Sequence, residues 1–599
     1  MKIHIKLASI LLIVFATGCS LDEYNPHGVT LDKQTATVDG YNKLINTCYF
    51  DLQRSFYGRN LILITEGGTD LWTANQNSNN NQQYMKYGGG GAVPIDMAKD
   101  FWNGAYDAIN YCNAAIDRIE NVKGFSSDAT KNAKVAEAHF LRALYYFHLV
   151  EQFGPVVLNE HETKEATTEA VRTAPLEVYE KVILPDLRFA AQYLPKTRGT
   201  TEIGRPTIKS ALGLLARACL QTKEYGSNDY LSEALATAEK LISDAQSGGA
   251  AYDAHLYTDF AQNFTPQNNK NNQEALYVVP FSQAYGSTNV YDHNRDFKRF
   301  YCSPIAFGAV ELQGHQLEVG RWSDGDFMPS KYLLDLFVMP GGSLDPRYSL
   351  SFQTIWTANK NYTWTADALK QFDRASSITT STSVSSGQTA IRFVRPEEND
   401  YATGVSTKLA QKYIWVDMAD VYGNNGAVKM KYTRVNIDPR EADNPFLKFY
   451  PSLTKFNNGS LISPKANNYT SDAYSVVMRM GEVYLIAAEA AFYLNGSSQK
   501  AVDYINALRT RVYGSGKGQI AAGDITLQFI LDERARELCG EYSRWYDLKR
   551  TGKLTKSYLS ATNPDVGQYF IDGVHRLRPI PQGQLDAMTN TAGFQNPGY

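Results

Sequence analysis

The chain has 599 residues and carries 59 lysines and arginines against 62 aspartates and glutamates, which gives a formal net charge of −3. The basic residues are scattered along the sequence, whereas nucleic-acid binding requires a basic patch or stripe, so the composition argues against a nucleic-acid partner. The length allows a substantial core and is typical of two or more domains, although a single helical scaffold with insertions also fits.

Residues 1–19 have the pattern of a secretory leader that ends at a cysteine. Lys2 and Lys6 precede an apolar run over residues 7–15, and the small residues 16–18 stand directly before Cys19. The apolar run is too short to cross a bilayer, which takes about 20 helical residues. The small triplet resembles the lipobox of bacterial lipoproteins, which implies cleavage after residue 18 and acyl chains on Cys19 as a firm anchor. The alternative is an ordinary cleaved signal peptide with an incidental thiol at Cys19.

Two acidic residues follow this cysteine closely. Asp22 and Glu23 resemble the surface-export signal of Bacteroidota lipoproteins, which would place the mature chain outside the cell. Removal of residues 1–18 takes away two lysines and no acid, so the formal charge of −3 becomes −5.

The remaining cysteines predict buried free thiols rather than a disulfide framework or a zinc site. Their number is odd, no two form a C-x-x-C pair, and Cys112 and Cys219 fall at apolar helical positions. They are Cys48, Cys112, Cys219, Cys302 and Cys539. We therefore expect no metal bound by cysteines.

Residues 66–91, EGGTDLWTANQNSNNNQQYMKYGGGG, combine aromatic rings with a dense run of Asn and Gln. Sugar rings stack on aromatic faces and their hydroxyls pair with amides, so Trp72, Asn75, Tyr84 and Tyr87 are candidate ligand-binding residues. A solvated polar loop whose tryptophan folds back onto the core explains the same composition. The sequence leaves both interpretations open.

Three regions have the periodicity of amphipathic helices with small residues where neighbours would pack closely. In residues 135–155, apolar positions recur at three- and four-residue steps until Gly154-Pro155. Helical patterns follow over 206–225 and 231–243, and a helix that ends at Asn495-Gly496 precedes a return helix. Recurring pairs of this kind resemble diverged tetratricopeptide-like αα-hairpins.

Between about residues 250 and 471 the pattern changes to short alternating strands, such as EALYVVPF and KYIWVDM, among many Gly, Asn, Ser and Thr residues. This pattern predicts a large irregular insertion lobe. Trp322, Trp356 and Trp364 lie there in polar, loop-like sequence and are further candidate ligand-binding residues, with burial in the lobe as the alternative. Trp102 and Trp545 are assigned to packing.

Several stretches resemble, in order, the successive signatures of the SusD/RagB family. They are EAHFLRALYYFHLVEQFGPVVL, RPTIKSALGLLARACL, VMRMGEVYLIAAEAAFYLNG, FILDERARELCGEYSRWYDLKRTGKL and RLRPIPQGQLD. The resemblance spans nearly the whole mature chain and implies the SusD-like fold, a mainly α tetratricopeptide-like scaffold with an irregular, loop- and short-strand-rich lobe. We therefore divide the chain into a signal peptide (1–18), a lipidated tether (19–35), an N-terminal helical region (36–250), the insertion lobe (251–470) and a C-terminal helical region (471–599).

The same resemblance implies an outer-membrane surface lipoprotein of Bacteroidota that binds a nutrient, usually an oligosaccharide. It also implies a partner, a SusC-type TonB-dependent transporter over which the protein acts as a lid, and no cofactor beyond the lipid at Cys19. Three alternatives remain: a peptide-binding RagB-like lid, a surface glycoside hydrolase, and a structural subunit without ligand contact.

The carboxylate pairs argue against catalysis. Glu533 and Glu537 stand at i and i+4 on one predicted helix and point the same way, whereas glycoside hydrolysis needs carboxylates that flank the sugar, about 5 to 9.5 Å apart. Interleaved arginines predict a structural ion-pair network instead. Glu482 and Glu489 are two helical turns apart and are also expected to be structural.

One spacing suggests calcium. Asp292, Asn294 and Asp296 have the spacing of calcium ligands, but Phe297 occupies the position where an EF-hand needs glycine. We expect no metal site here, with a noncanonical calcium site as the alternative.

Overall fold

The computed structural model describes most of the chain after residue 29. The described residues are 30–57, 59–75, 81–89, 93–165, 167–281, 301, 303, 326–358, 360–364, 366, 369, 378–401, 412–429, 450–457 and 473–599. Cys19, Cys302, Trp322 and the spacing over 292–296 lie outside these ranges, so the predictions made for them stay predictions.

Helices dominate the described chain. They are α1 (Leu31–Thr35), α2 (Val38–Thr47), α3 (Arg59–Thr65), α4 (Lys99–Arg118), α5 (Asp128–Phe153), α6 (Pro175–Val178), α7 (Leu184–Tyr193), α8 (Ile208–Gln221), α9 (Leu231–Gln246), α10 (Lys331–Asp335), α11 (Arg347–Ser351), α12 (Met418–Val421), α13 (Met480–Asn495), α14 (Gln499–Tyr513), α15 (Leu527–Leu538), α16 (Arg544–Arg550), α17 (Lys556–Thr562), α18 (Pro564–Gly567) and α19 (Gln582–Asp586).

The helices predicted from periodicity are confirmed. Helix α5 contains the predicted stretch and ends before Gly154, which has a φ of 71°. Helices α8 and α9 form the second predicted pair, and α13 ends at Asn495 before its return helix α14. Glycine adopts a positive φ at low cost, which explains why the chain leaves α5 at this residue.

The longer helices pack against each other in chain order. Helix α4 packs on α5, α5 on α7, α7 on α8, and α8 on α9. Helix α9 also packs on α13, which contacts α14 and α15, so the early and late helices form one continuous scaffold. The predicted mainly α scaffold of helical hairpins is therefore confirmed. Within the described ranges, no helix has the length and apolar character needed to cross a membrane.

The strands are short and pair mostly in twos. They are β1 (Trp72–Ala74), β2 (Val156–Val157), β3 (Arg172–Thr173), β4 (Ala275–Val279), β5 (Phe327–Pro329), β6 (Phe352–Gln353), β7 (Ile355–Thr357), β8 (Tyr362–Thr363), β9 (Ser383–Val384), β10 (Thr389–Val394), β11 (Ile414–Asp417), β12 (Ser452–Leu453) and β13 (Ser475–Arg479). Antiparallel pairs join β1 to β5, β2 to β3, β4 to β13, β6 to β12 and β8 to β9. A three-stranded sheet has the order β11-β10-β7, with β10 and β11 parallel.

The β4–β13 pair joins the middle of the chain to its C-terminal part and packs closely on α8. Ser475 pairs with Val279 in this sheet. A Cβ added to Gly213 of α8 would lie 2.6 Å from a methyl carbon of Leu276 in β4. Gly213 is one of the small residues predicted to allow close packing, and its lack of a side chain leaves room for the sheet.

A buried ion-pair network ties the middle of the chain to α15. Arg347 donates hydrogen bonds to Glu533 (2.8 Å) and Glu537 (3.2 Å), and Arg479 donates to Glu537 (2.6 Å). Burial of Glu537 opposes its ionisation, but Arg511, Arg479 and Arg347 lower its pKa to about 2. The predicted network is therefore confirmed, and it joins elements far apart in sequence.

The described cysteines are buried free thiols, as predicted. Cys48, Cys112, Cys219 and Cys539 are fully buried, and no disulfide joins any two of them. Burial raises the pKa of the Cys539 thiol to about 11, so this group stays a protonated, unreactive thiol at neutral pH.

Candidate functional site

The pairing of β1 with β5 brings two of the predicted polar segments to one place. The backbone N–H of Asn75 donates to the carbonyl of Asp326 at 3.3 Å, just beyond the paired ends of the two strands. Residues 76–80 follow Asn75, and residues 304–325, which include Trp322, precede Asp326. Both segments therefore start from the same end of the β1–β5 pair. We call this strand pair, Trp72–Ala74 with Phe327–Pro329, the site base.

Trp72 belongs to this base but does not face solvent. Its side chain is fully buried, and its ring lies against Tyr301 (centroids 4.7 Å apart) and Phe327 (6.2 Å). Its indole N–H donates to Glu66 Oε2 at 2.8 Å. The structure supports the interpretation in which this tryptophan folds back onto the core. The expectation that its ring stacks on a sugar is therefore corrected.

Residues that sequence reasoning missed hold the base in place. Glu66 Oε1 accepts the backbone N–H groups of Ser543 (3.1 Å) and Arg544 (3.5 Å), and Arg544 Nε donates to Asp70 Oδ1 at 2.8 Å. The side-chain amide of Asn563 donates to the carbonyl of Trp72 at 2.9 Å. Glu66 and Asp70 stand in the polar segment of residues 66–91, so the sequence contains a signal for them, whereas their partners are distant in sequence.

Burial changes the pKa of the Glu66 carboxyl group. The carboxyl group is fully buried, and burial raises its pKa to about 7. Hydrogen bonds from the Trp72 indole and from the backbone of Arg544 and Ser543 favour the ionised form and oppose this rise. The base is therefore held in place by an acid that titrates near neutral pH.

Asn75, Tyr84 and Tyr87 are also buried rather than presented to solvent, with 1%, 7% and 2% of their surface exposed. The Tyr84 hydroxyl donates to the carbonyl of Met97, and the Tyr87 ring stacks on His575 with centroids 4.7 Å apart and planes 8° apart. The expectation that these three side chains line an open ligand surface is corrected, because they fix the segment to the scaffold.

The tryptophans of the predicted insertion lobe that the structure describes are packed as well. Trp356 in β7 is 1% exposed and packs on Phe393, with centroids 5.6 Å apart. Trp364 is 1% exposed, and its indole N–H donates to the carbonyl of Lys412 at 2.9 Å. Trp356 and Trp364 are therefore buried, which is the alternative that the sequence left open for them. Trp322 lies outside the described residues.

The carboxylates considered for catalysis have structural partners. Glu482 pairs with Arg217 at 2.5 Å, and Glu489 pairs with Arg550 at 2.7 Å. Both acids are buried, as are Glu533 and Glu537 in the network described above. Within the part of the chain that the structure describes, no group of histidine, cysteine and acidic side chains is arranged to hold a metal ion.

Two family models match the chain. The model described as the SusD family matches residues 273–599, and the model described as "starch-binding associating with outer membrane" matches residues 34–220. The SusD-like protein P2 of Formosa agariphila is 26% identical, over 99% of this chain and 99% of its own.

Solved structures are similar in fold. A SusD homolog from Bacteroides thetaiotaomicron has a TM-score of 0.65 at 20% identity and covers 95% of this chain and 98% of its own. Surface glycan-binding protein A from the same species, in complex with laminarihexaose, has a TM-score of 0.61 at 18% identity and covers 94% and 99%. At these identities the likeness shows the fold alone.

Proposed function

Because the chain belongs to the SusD family, we propose that it is a non-catalytic glycan-binding protein at the surface of the outer membrane. The observation that carries the proposal is the pair of family matches, one of them to a model described as starch-binding and associated with the outer membrane. The laminarihexaose complex of a protein with the same fold supports an oligosaccharide as the ligand class.

In this proposal the site base is a support and the segments that start from it contact the ligand. Trp322 supplies an aromatic face for a sugar ring, and the Asn- and Gln-rich residues 76–80 supply amides for its hydroxyls. Trp72 and Glu66 hold the base rigid through their buried hydrogen bond. Rigid support lowers the entropy cost of binding, because the contacting segments start from fixed positions.

Titration calorimetry of the full chain in detergent tests this function. Laminarihexaose, starch oligosaccharides and a panel of plant, host and microbial glycans are the probes, with a peptide mixture as the contrasting class. We expect one glycan class to bind, and Trp322→Ala to weaken that binding at least about tenfold, since stacked tryptophans often dominate binding energy. Tyr111→Ala, which removes a half-exposed ring on α4, is the matched control and should bind like the wild type.

Thermal unfolding separates lost contact from lost fold. Trp322→Ala should melt like the wild type while it binds weakly, whereas Trp72→Ala should melt at a lower temperature. Binding of peptides but of no glycan would overturn the sugar proposal.

We also propose that Cys19 carries the lipid and that the partner is a SusC-type TonB-dependent transporter, over which the protein acts as a lid. The leader sequence and the family resemblance support this assignment. Cys19→Ala should move the protein from the membrane fraction to the soluble fraction. Affinity purification from detergent-extracted outer membranes should recover a TonB-dependent transporter, and an extract without one would contradict the lid.

A further inference from the structure

A small cavity lies among buried side chains where the early and the late helices meet. Side chains of α8 (Arg217), α13 (Glu482), α15 (Arg534) and α16 (Asp547) line it, together with Ser543 just before α16. The space in which the centre of a water molecule can lie measures about 10 Å³. None of the predicted ligand-binding residues that the structure describes lines this space, which we call the Arg534 cavity.

Arg534 has two nitrogen atoms without a hydrogen-bond partner among the described residues. The residue is 2% exposed, and these atoms, Nε and Nη1, are buried. Its third nitrogen, Nη2, lies 2.8 Å from Asp547 Oδ1 and 3.6 Å from Glu482 Oε1. Nε carries one N–H group and Nη1 carries two. Buried N–H groups in folded proteins are nearly always paired with a protein group or an ordered water, so these nitrogens call for an acceptor.

The charges around the cavity cancel, which argues for a neutral acceptor. Three arginines meet three acids, and each acid is paired with at least one of the arginines. The arginines are Arg217, Arg534 and Arg550, and the acids are Glu482, Glu489 and Asp547. A buried ion needs a compensating charge, and this cluster has none left over for an anion.

The size of the cavity restricts the acceptor to a single water molecule. A site for one water needs roughly 10–15 Å³, whereas sites for drug-sized ligands measure about 300–1,000 Å³. The space of about 10 Å³ beside Arg534 is on the scale of the first and far below the second.

The cavity also offers acceptors for the hydrogen atoms of a water. A buried water typically makes about two to four hydrogen bonds. Glu482 accepts two hydrogen bonds from Arg217, at 2.9 Å and 2.5 Å, and a carboxylate has about four acceptor positions. The Glu482 carboxylate can therefore accept a further hydrogen bond from a water beside Arg534.

We propose that the Arg534 cavity binds one ordered water molecule, which accepts a hydrogen bond from Nε or Nη1 of Arg534 and donates to an acidic side chain of the cavity. Glu482 lies on α13 and its partner Arg217 on α8, so the water extends the contact of α15 to an early helix. This site goes beyond the proposed glycan-binding function and does not depend on it.

A crystal structure of the full chain in detergent, at a resolution where ordered waters are visible, tests the proposal. We expect a density peak at about 2.7–3.2 Å from Nε or Nη1 of Arg534 and from a second polar atom of the cavity. Crystals grown in bromide distinguish a water from a halide ion, because bromide gives an anomalous signal and water gives none.

Two matched variants test whether Arg534 holds the water. Arg534→Met replaces the N–H donors by an apolar side chain, and we expect it to lose the peak. Arg536→Met makes the same change on α15 at a residue that does not line the cavity, and we expect it to keep the peak. If a variant does not fold, the wild-type structure and the bromide crystals decide the proposal by themselves.

Four results would overturn the inference: no peak beside Arg534, an anomalous bromide peak in the cavity, a peak that persists in Arg534→Met, or its loss from both variants. Glycan binding is measured separately by calorimetry, so these results leave the proposed function untouched.

Discussion

Replacement of Glu66 by glutamine should change how the stability of the protein depends on pH. The pKa of this carboxyl rises from 4.5 to about 7 on folding because the group is buried. The folded protein therefore binds the proton more tightly than the unfolded chain does. The stabilisation from this group is fully present below about pH 4.5 and is lost as the pH rises through about 7.

The size of the effect follows from the pKa. A rise from 4.5 to about 7 corresponds to about 3 kcal/mol of unfolding free energy between the two ends of that window. Glu66→Gln removes this dependence. It also places an amide N–H₂ against either the Trp72 indole N–H or the backbone N–H groups of Ser543 and Arg544, which costs about 1–3 kcal/mol at every pH.

Urea unfolding followed by tryptophan fluorescence, at pH 4.5 and at pH 8, measures the effect. The unfolding free energy of the wild type minus that of Glu66→Gln should fall by about 3 kcal/mol from the lower to the higher pH. Other titrating groups are common to both proteins and cancel in this difference. Glu169→Gln, at an exposed position, is the control and should show no such change. A difference that stays constant within about 1 kcal/mol would refute the reasoning about burial.

Two further predictions concern the network around α15 and the backbone at Gly204, in the connection before α8. Glu537→Gln should destabilise the protein by about 3–5 kcal/mol, measured by urea unfolding at pH 7, because it removes one of the buried negative charges that neutralise Arg347, Arg479 and Arg511. An unchanged midpoint would contradict this. Gly204→Ala should cost about 1–3 kcal/mol in thermal unfolding, since Gly204 has a φ of +89° and an added Cβ would lie 2.4 Å from Pro280. Gly199→Ala, which meets nothing within 4 Å, is its control, and equal melting of the two variants would argue against strain at Gly204.

The helices could be predicted because their signals are local. The apolar steps before Gly154 and the stop at Asn495-Gly496 place α5 and α13 within a few residues of their observed ends. Periodicity and glycine stops act within one or two helical turns, so neither needs knowledge of distant partners. The interleaved charges around Glu533 and Glu537 also predicted an ion-pair network, although the arginines that pair with Glu537 come from other parts of the chain.

The burial of Trp72 could not be derived from its own segment. The amides and glycines around it are equally typical of a solvated loop, and the groups that bury it come from elsewhere. Tyr301 covers one side of the ring and Asn563 holds its backbone. Only the tertiary structure brings these residues together.

The buried hydrogen bonds of the site base also constrain the order in which parts of the chain can fold. Glu66 and Asp70 are translated early, but their partners Ser543 and Arg544 follow 474 to 478 residues later. Closing contacts over such separations is slow, because the entropy of a long loop must be overcome first. A polypeptide that stops before residue 543 lacks these two partners, so the base cannot reach its native hydrogen bonding. The base therefore acquires its complete set of hydrogen bonds only after the chain has been synthesised past Asn563.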